Sequence, residues 1–153
     1  MSTYATAAEA TTYCTTYRLD ALASDTADAY LVCASVAIDR LYGARFIGQK
    51  TTDSALQWPR TVSSNTDTFG NERDFTIIPV EVVNATIELA VMLQDGLDPY
   101  AQPAAPSTED KIKIDVIEIS TKSAGTAIAP LYKIGVILSP LLGAFQTMRL
   151  VRG

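Results

Sequence analysis

Few residues of this chain have the types and spacing that chemistry needs. It has no histidine, which removes Ser-His-Asp and Cys-His nucleophilic systems, His-ligated zinc and any imidazole pH switch. Carboxylate and lysine chemistry stay formally open. Asp25 and Asp28 fall on one helical face and could together hold a hard cation; favourable charge at a helix start is the simpler reading. Glu81, Glu88 and Asp95 recur every seven residues, the spacing of a solvated stripe opposite an apolar face. Trp58 could stack on a base, with Arg60 as a phosphate contact. Beside Leu56 and Pro59, it reads more simply as a core plug. Arg40, Arg45, Lys50 and Arg60 lie in a stretch whose one acid is Asp53, a candidate phosphate track. The two cysteines, Cys14 and Cys33, are read as small buried hydrophobes rather than a disulfide. No nucleophile–base pair, phosphate-cradling glycine loop, dinucleotide fingerprint or EF-hand spacing occurs. No enzyme, metal or cofactor is therefore expected.

The elements that must position these residues follow from composition and periodicity. The chain has 153 residues, 48% of them apolar and 19% charged, too apolar for a disordered chain and of a size for one domain. Twelve basic against 17 acidic residues give −5, which argues against a protein that coats DNA. The charge is uneven: residues 131–153 carry Lys133, Arg149 and Arg152 with no acid. No stretch approaches the ~20 apolar residues of a membrane span. The longest, Ile134 to Phe145, is broken by Gly135, Ser139, Pro140 and Gly143. The start, Met1 to Ala5, lacks the basic and apolar runs of a signal peptide. A soluble chain made in a reducing cytoplasm, with no membrane partner, is expected.

Thr6 with Glu9 three residues on forms a capping box, so Ala7 to Tyr17 is predicted helical. Leu31, Ala34, Ile38 and Leu41 recur at helical spacing, as do Tyr30, Ala34, Ala37 and Leu41, which predicts a helix over Thr26 to Tyr42 with Gly43 ending it. Asp53 could cap a short turn through Leu56, and Pro59 stops any helix there. Ser63 to Arg73 reads as a loop or small hairpin. Pro79 suits a first helical position. Val80, Val83, Ile87 and Val91, widened by Val82, Leu89, Met92 and Leu93, predict a helix to Asp95 buried on more than one side, with Gly96 and Pro99 as stop signals. Residues 99–110 read as a proline-rich linker. Lys111 to Ile119 alternates like a strand with a bulge. Pro130 opens a last short helix through Ser139. The chain then keeps Leu141, Leu142, Phe145, Met148, Leu150 and Val151 nearly to its end. Such a tail either tucks into its own fold or binds a neighbour. The expected class is mainly α: a small helical bundle over 1–98, the linker over 99–110, and a short β element, a short helix and an extended C-terminal arm over 111–153.

Several segments together resemble one family of small tailed-phage proteins. They are Tyr4-Ala5-Thr6-Ala7-Ala8-Glu9-Ala10-Thr11-Thr12-Tyr13; Ala27 with Tyr30; Asp39-Arg40-Leu41-Tyr42-Gly43-Ala44-Arg45-Phe46; Ala55-Leu56-Gln57-Trp58-Pro59-Arg60; Gly70; Ile78-Pro79 leading to Ala85 and Glu88-Leu89-Ala90; and Arg149-Leu150-Val151-Arg152-Gly153. The family is often labelled DnaT-like single-stranded-DNA-binding and is related to head–tail connector, or adaptor, proteins. Tyr42, Gly43, Leu56, Trp58, Pro59, Arg60, Ile78 and Pro79 carry its motifs. The resemblance implies a structural virion protein, made in the host cytoplasm and located at the virion neck. It would form a homo-oligomeric ring, expected to be dodecameric, between the portal protein and a tail or nozzle protein, with double-stranded DNA passing through the lumen. Leu141, Leu142, Phe145, Met148, Leu150 and Val151 would be its apolar anchors on the portal or a neighbouring subunit, and Arg149 and Arg152 its charge partners. Two alternatives stand beside it: a single-stranded-DNA-binding accessory protein contacting DNA through Arg40, Arg45, Lys50 and Arg60, and a tail-completion or terminator protein.

Overall fold

The computed structural model describes residues 2–51, 53, 55–101 and 129–143. Its first helix, α1, Ala7–Tyr17, forms because Thr6 and Glu9 satisfy each other's backbone: Thr6 Oγ1 accepts from the Glu9 N–H at 3.3 Å, and Glu9 Oε2 from the Thr6 N–H at 2.8 Å. Bonds donated to Glu9 Oε2 by the Thr6 N–H and the Thr6 hydroxyl (2.7 Å) hold the Glu9 carboxyl below its ordinary range. Four threonines are tolerated in this helix because Thr11, Thr12, Thr15 and Thr16 each donate back to a carbonyl one turn earlier. Thr6→Ala removes the hydroxyl half of the capping box and keeps the backbone N–H that donates to Glu9; it is expected to cost about 1 kcal/mol, read as a lower urea midpoint with an unchanged slope.

Helix α2, Ala27–Tyr42, buries Leu31, Ala34, Ala37 and Ile38 along one stripe. Helix α3, Val80–Gln94, packs against α1, α2 and α4 (Ala129–Leu138). That central place explains its broad apolar face: Val82, Ala85, Ile87, Leu89, Ala90 and Val91 are all buried. Pro79 is the cap itself rather than the first helical residue, an offset of one position. At the other end Gly96 takes φ 91°. Its N–H donates to Leu93 O at 3.0 Å and the Leu97 N–H to Met92 O at 2.9 Å, closing the helix in a Schellman motif. Past α4, a 3₁₀ turn over Ser139–Leu141 brings Leu142 into a bridge with Phe46.

Between α2 and α3 a second 3₁₀ turn, Gly43–Arg45, leads into β1, Gln49–Lys50, paired antiparallel with β2, Arg60–Thr61. Gly48 makes this crossing feasible: it adopts φ 75°, and a Cβ there would sit 2.2 Å from Thr61 O. The Trp58–Pro59 peptide is cis. Among residues 63–73, Thr66 and Glu72 form an antiparallel bridge, the small hairpin expected there. The mainly helical class with a short β element is observed, but the described strands fall within residues 49–61, where none was expected.

Several expectations change. Gly43 stops α2 without a left-handed turn; its backbone is right-handed. What it provides is room, since a Cβ would meet Gln57 Cγ at 3.2 Å. Residues 55–57 form bends rather than a helical turn. Cys14 is buried but Cys33 is exposed, and both are free thiols. The stripe of Glu81, Glu88 and Asp95 is not solvated throughout. Only Asp95 is exposed; Glu81 is paired with Arg73, and Glu88 is buried. Glu88 sits where α1 and α4 meet α3, accepting from Tyr13 Oη at 3.1 Å and from Lys133 Nζ at 2.7 Å. Leu141 and Leu142 are buried in the chain's own core with Ile134 and Leu138, so they are not surface anchors. The described part of the third segment thus packs into the same core as α1–α3. The linker from residue 102 onward, the 111–119 strand, and Phe145, Met148, Arg149, Leu150, Val151 and Arg152 lie outside the described residues.

Candidate functional site

The most motif-dense region of the sequence is a buried knot where the N-terminal segment, α2 and the Leu-x-Trp-Pro-Arg segment converge. Tyr4 Oη donates to Asp39 Oδ1 at 2.5 Å and accepts from the backbone N–H groups of Gln57 (2.9 Å) and Trp58 (3.2 Å). Asp39 Oδ2 accepts a further bond from the Gln57 N–H at 3.0 Å. Burial, reinforced by the neighbouring carboxylate, pushes the Tyr4 phenol far up. Burial also raises the Asp39 carboxyl, against the opposing bonds from Tyr4 and Gln57. Tyr4 therefore stays a neutral donor and pins the turn before Pro59.

Trp58 is 2% exposed. Its ring meets Phe46 edge-on at 5.4 Å between centroids and stacks on Phe75 at 6.1 Å. Arg60 is 8% exposed. Its Nε donates to Ile47 O at 2.9 Å, Nη2 to Gly48 O at 2.7 Å and Phe46 O at 3.4 Å, and Nη1 to Gln57 Oε1 at 3.1 Å. Burial lowers the guanidinium, while Tyr4 and Asp39 pull it back up. One fork thus closes over three consecutive carbonyls. Neither residue presents itself to a nucleic acid: Trp58 is the core plug, and Arg60 is spent on the chain's own backbone.

Of the other candidate phosphate contacts, Arg40 and Lys50 are exposed and Arg45 is half-buried. The Arg40 guanidinium lies 6.0 Å from the Tyr100 ring centroid. Lys50 is the cross-strand partner of Arg60. The four residues do not form one exposed track, because Arg60 turns inward. Tyr42 and Gly43 are buried, Leu56 and Pro79 are buried, and Pro59 and Ile78 are half-buried. Asp25 and Asp28 are exposed, and among the described residues no group of three acids or cysteines could hold a metal ion.

A second polar cluster escaped the sequence reading. Asp67, buried in the loop before α3, accepts from the N–H groups of Phe69 and Asn71, both at 2.9 Å, and from Arg73 Nε at 2.7 Å. Arg73 also pairs with Glu81 at the start of α3. Burial works against the Asp67 charge, but the bonds from Asn71, Arg73 and Phe69 outweigh it and hold the carboxyl below its ordinary range. Asp74 is lowered by Thr76. A lowered carboxyl stabilises the fold fully above the unfolded value, about 3.9 for Asp, and loses that contribution as pH falls through the folded value. Asp39, raised, works in the opposite sense and gains as it protonates. Stability is expected to be level from pH 7 to about 5 and to fall below about 4, with a shallower acid limb in Asp67→Asn. Urea midpoints across that range check this; parallel acid limbs would show that Asp67 carries none of it.

The described geometry defines a small mainly helical domain whose sequence motifs serve its core. The whole chain, residues 1–153, matches the model of the family described as "Putative DnaT-like ssDNA binding protein", and it belongs to that family. No curated protein and no solved structure matches it.

Proposed function

We propose that this protein is a structural subunit of the tailed-phage head–tail joint, an adaptor that assembles as a ring between portal and tail. The role comes from the resemblance described above. The observation that carries it here is that the residues bearing the resemblance are architectural. Trp58 and Arg60, the pair a stacking-and-phosphate site would need, are buried in the chain's own fold. A net charge of −5 also suits a wall past which DNA slides, because a basic lumen would grip phosphates. In this reading Phe145, Met148, Leu150 and Val151, with Arg149 and Arg152, contact the portal or the adjacent subunit. Deleting residues 144–153 is then expected to abolish co-purification with the portal protein; an undiminished complex would remove the reading. Electron micrographs of purified heads and purified tails, with the protein localised on one of them, separate an adaptor from a tail-completion protein.

A second reading, single-stranded-DNA binding, is favoured by the family's own description. The structure leaves it Arg40, Arg45 and Lys50 as cations, without Trp58 or Arg60. Fluorescence anisotropy with a labelled single-stranded oligonucleotide at low salt tests it. Binding that weakens with salt and drops in an Arg40→Ala, Lys50→Ala variant would favour it, with a log–log salt slope near −0.7 per phosphate contact. No binding at low salt would eliminate it.

A further inference from the structure

The small hairpin bridged by Thr66 and Glu72 is firmly held at its base, yet it presents an aromatic ring to solvent. Asp67, buried at that base, accepts from the Phe69 and Asn71 N–H groups, both at 2.9 Å, and from Arg73 Nε at 2.7 Å. Thr68 ties the same turn to the chain after α4. Its N–H donates to Pro140 O and its hydroxyl to Leu142 O, both at 2.9 Å. At the tip Gly70 takes φ 85°, and a Cβ there would meet nothing within 4 Å. Phe69 is 66% exposed. Ordering a loop costs about 1–2 kcal/mol per residue, and a phenyl ring left in water returns none of it. A pre-organised, exposed aromatic is the form of a binding anchor, because its large apolar area is offered at little further entropic cost. Glu72 sets the charge of the tip, since it is exposed while Asp67 is matched by Arg73. A fitting socket is apolar and carries positive charge.

We propose that Phe69 inserts into the hollow between α2 and residues 55–57 of a second copy of this chain. Val32 and Val36 line that hollow from α2, and Ala55 and Leu56 from the segment before Trp58. Arg40 also lines it, exposed and without an ion pair among the described residues. Asp39, the other charged group there, is engaged by Tyr4 and the Gln57 N–H. Charge selects this hollow over its neighbours. The one between the N-terminal segment and α2 carries the exposed Asp28. The hollows along α1 and α3 carry the exposed Glu9 and Asp74, beside an Arg73 already matched by Asp67 and Glu81. Both would repel Glu72, whereas Arg40 attracts it. Knob and socket are different surfaces of one chain, so the contact is head-to-tail and repeats into a closed ring or an open filament. One loop buries less than the roughly 1,200 Å² of a stable interface, so the contact is weak in a pair and gains when several close together. The inference rests on the ring part of the reading above and names its subunit contact. It involves neither the portal nor residues 144–153, whose deletion has its own readout.

The test uses the full chain with p-benzoyl-phenylalanine in place of Phe69, irradiated at high concentration, separated by mass and digested. The expected product is a crosslink at dimer mass and above, to peptides holding residues 32–40 or 55–57. Its yield should fall about tenfold in Arg40→Glu and in Glu72→Arg, both at exposed positions, and recover when the two reversals are combined. Thermal melts confirm that each variant folds. Crosslinks to other peptides, crosslinks at single-chain mass alone, or none at all would overturn the proposal. So would yields that ignore the charge reversals, or that fail to recover in the combined variant. Crosslinking to an added single-stranded oligonucleotide in preference to protein would give the ring to base stacking and overturn it as well.

Discussion

Trp58→Ala will lower the unfolding free energy by about 3–5 kcal/mol, the range for deleting a large aromatic from a packed core. The indole is 2% exposed and sits between Phe46 and Phe75, and each such ring pair adds about 0.5–1.5 kcal/mol beyond area burial. The cavity cannot close easily, because the Trp58 N–H is tied to Tyr4 Oη and the adjoining Gln57 N–H to both Tyr4 and Asp39. Trp58→Phe will cost less than Trp58→Ala, because it leaves a smaller cavity. It keeps a ring between the two phenylalanines, and the indole N–H that it removes meets no acceptor among the described residues. Urea denaturation checks both, as midpoint shifts with an unchanged slope. The pair also discriminates roles. A stacking platform for bases would lose DNA affinity on substitution with stability left nearly intact, and that outcome would overturn the core assignment.

The helices were legible in the sequence because their signals are local. The Thr6–Glu9 box sets the start of α1, Gly96 sets the end of α3, and the stripe through Leu31, Ala34 and Ile38 gives the inner face of α2. Periodicity fails where one element is packed on several sides. Glu88 shares a heptad spacing with Glu81 and Asp95, yet Tyr13 from α1 and Lys133 from α4 converge on it, and no feature near residue 88 announces partners that far away in sequence. Arg60 misled in the same way. A cation among other cations suggests a surface, and only the folded turn at residues 46–48 provides the carbonyls that draw it inside. Leu141 and Leu142 belonged to an apolar run that could equally face a neighbour or the core; the bridge to Phe46 decides for the core. Of the candidate nucleic-acid residues, the exposed ones were readable as cations from type alone, whereas the burial of Trp58 and Arg60 is a tertiary fact.

Arg60→Met will cost about 3 kcal/mol, because it strips the donors from the Phe46, Ile47 and Gly48 carbonyls, the first bond buried and the other two partly so, where a fully buried acceptor left unpaired costs about 1–3 kcal/mol; much of the side-chain volume is kept. The loss should exceed that of a surface arginine, whose ion pairs are worth about 0–1 kcal/mol. Arg60→Lys will rescue only part of it. A single ammonium nitrogen cannot span Phe46 O, Ile47 O and Gly48 O while also reaching Gln57, as the planar fork does. The damage should spread along a defined route. Residues 45–47 hold the chain after α4 through the Ile47 N–H to Leu141 O (3.0 Å) and the Gly143 N–H to Arg45 O (2.7 Å). Loosening the turn at 46–48 therefore frees the Ile47 and Gly143 amides to exchange with solvent before the amides of α2 and α3 do. Hydrogen exchange read at those two amides, beside urea midpoints, is the check. If Arg60→Met proves as stable as the parent and instead loses affinity for single-stranded DNA, the guanidinium is a phosphate contact after all and the inward fork is not its resting state.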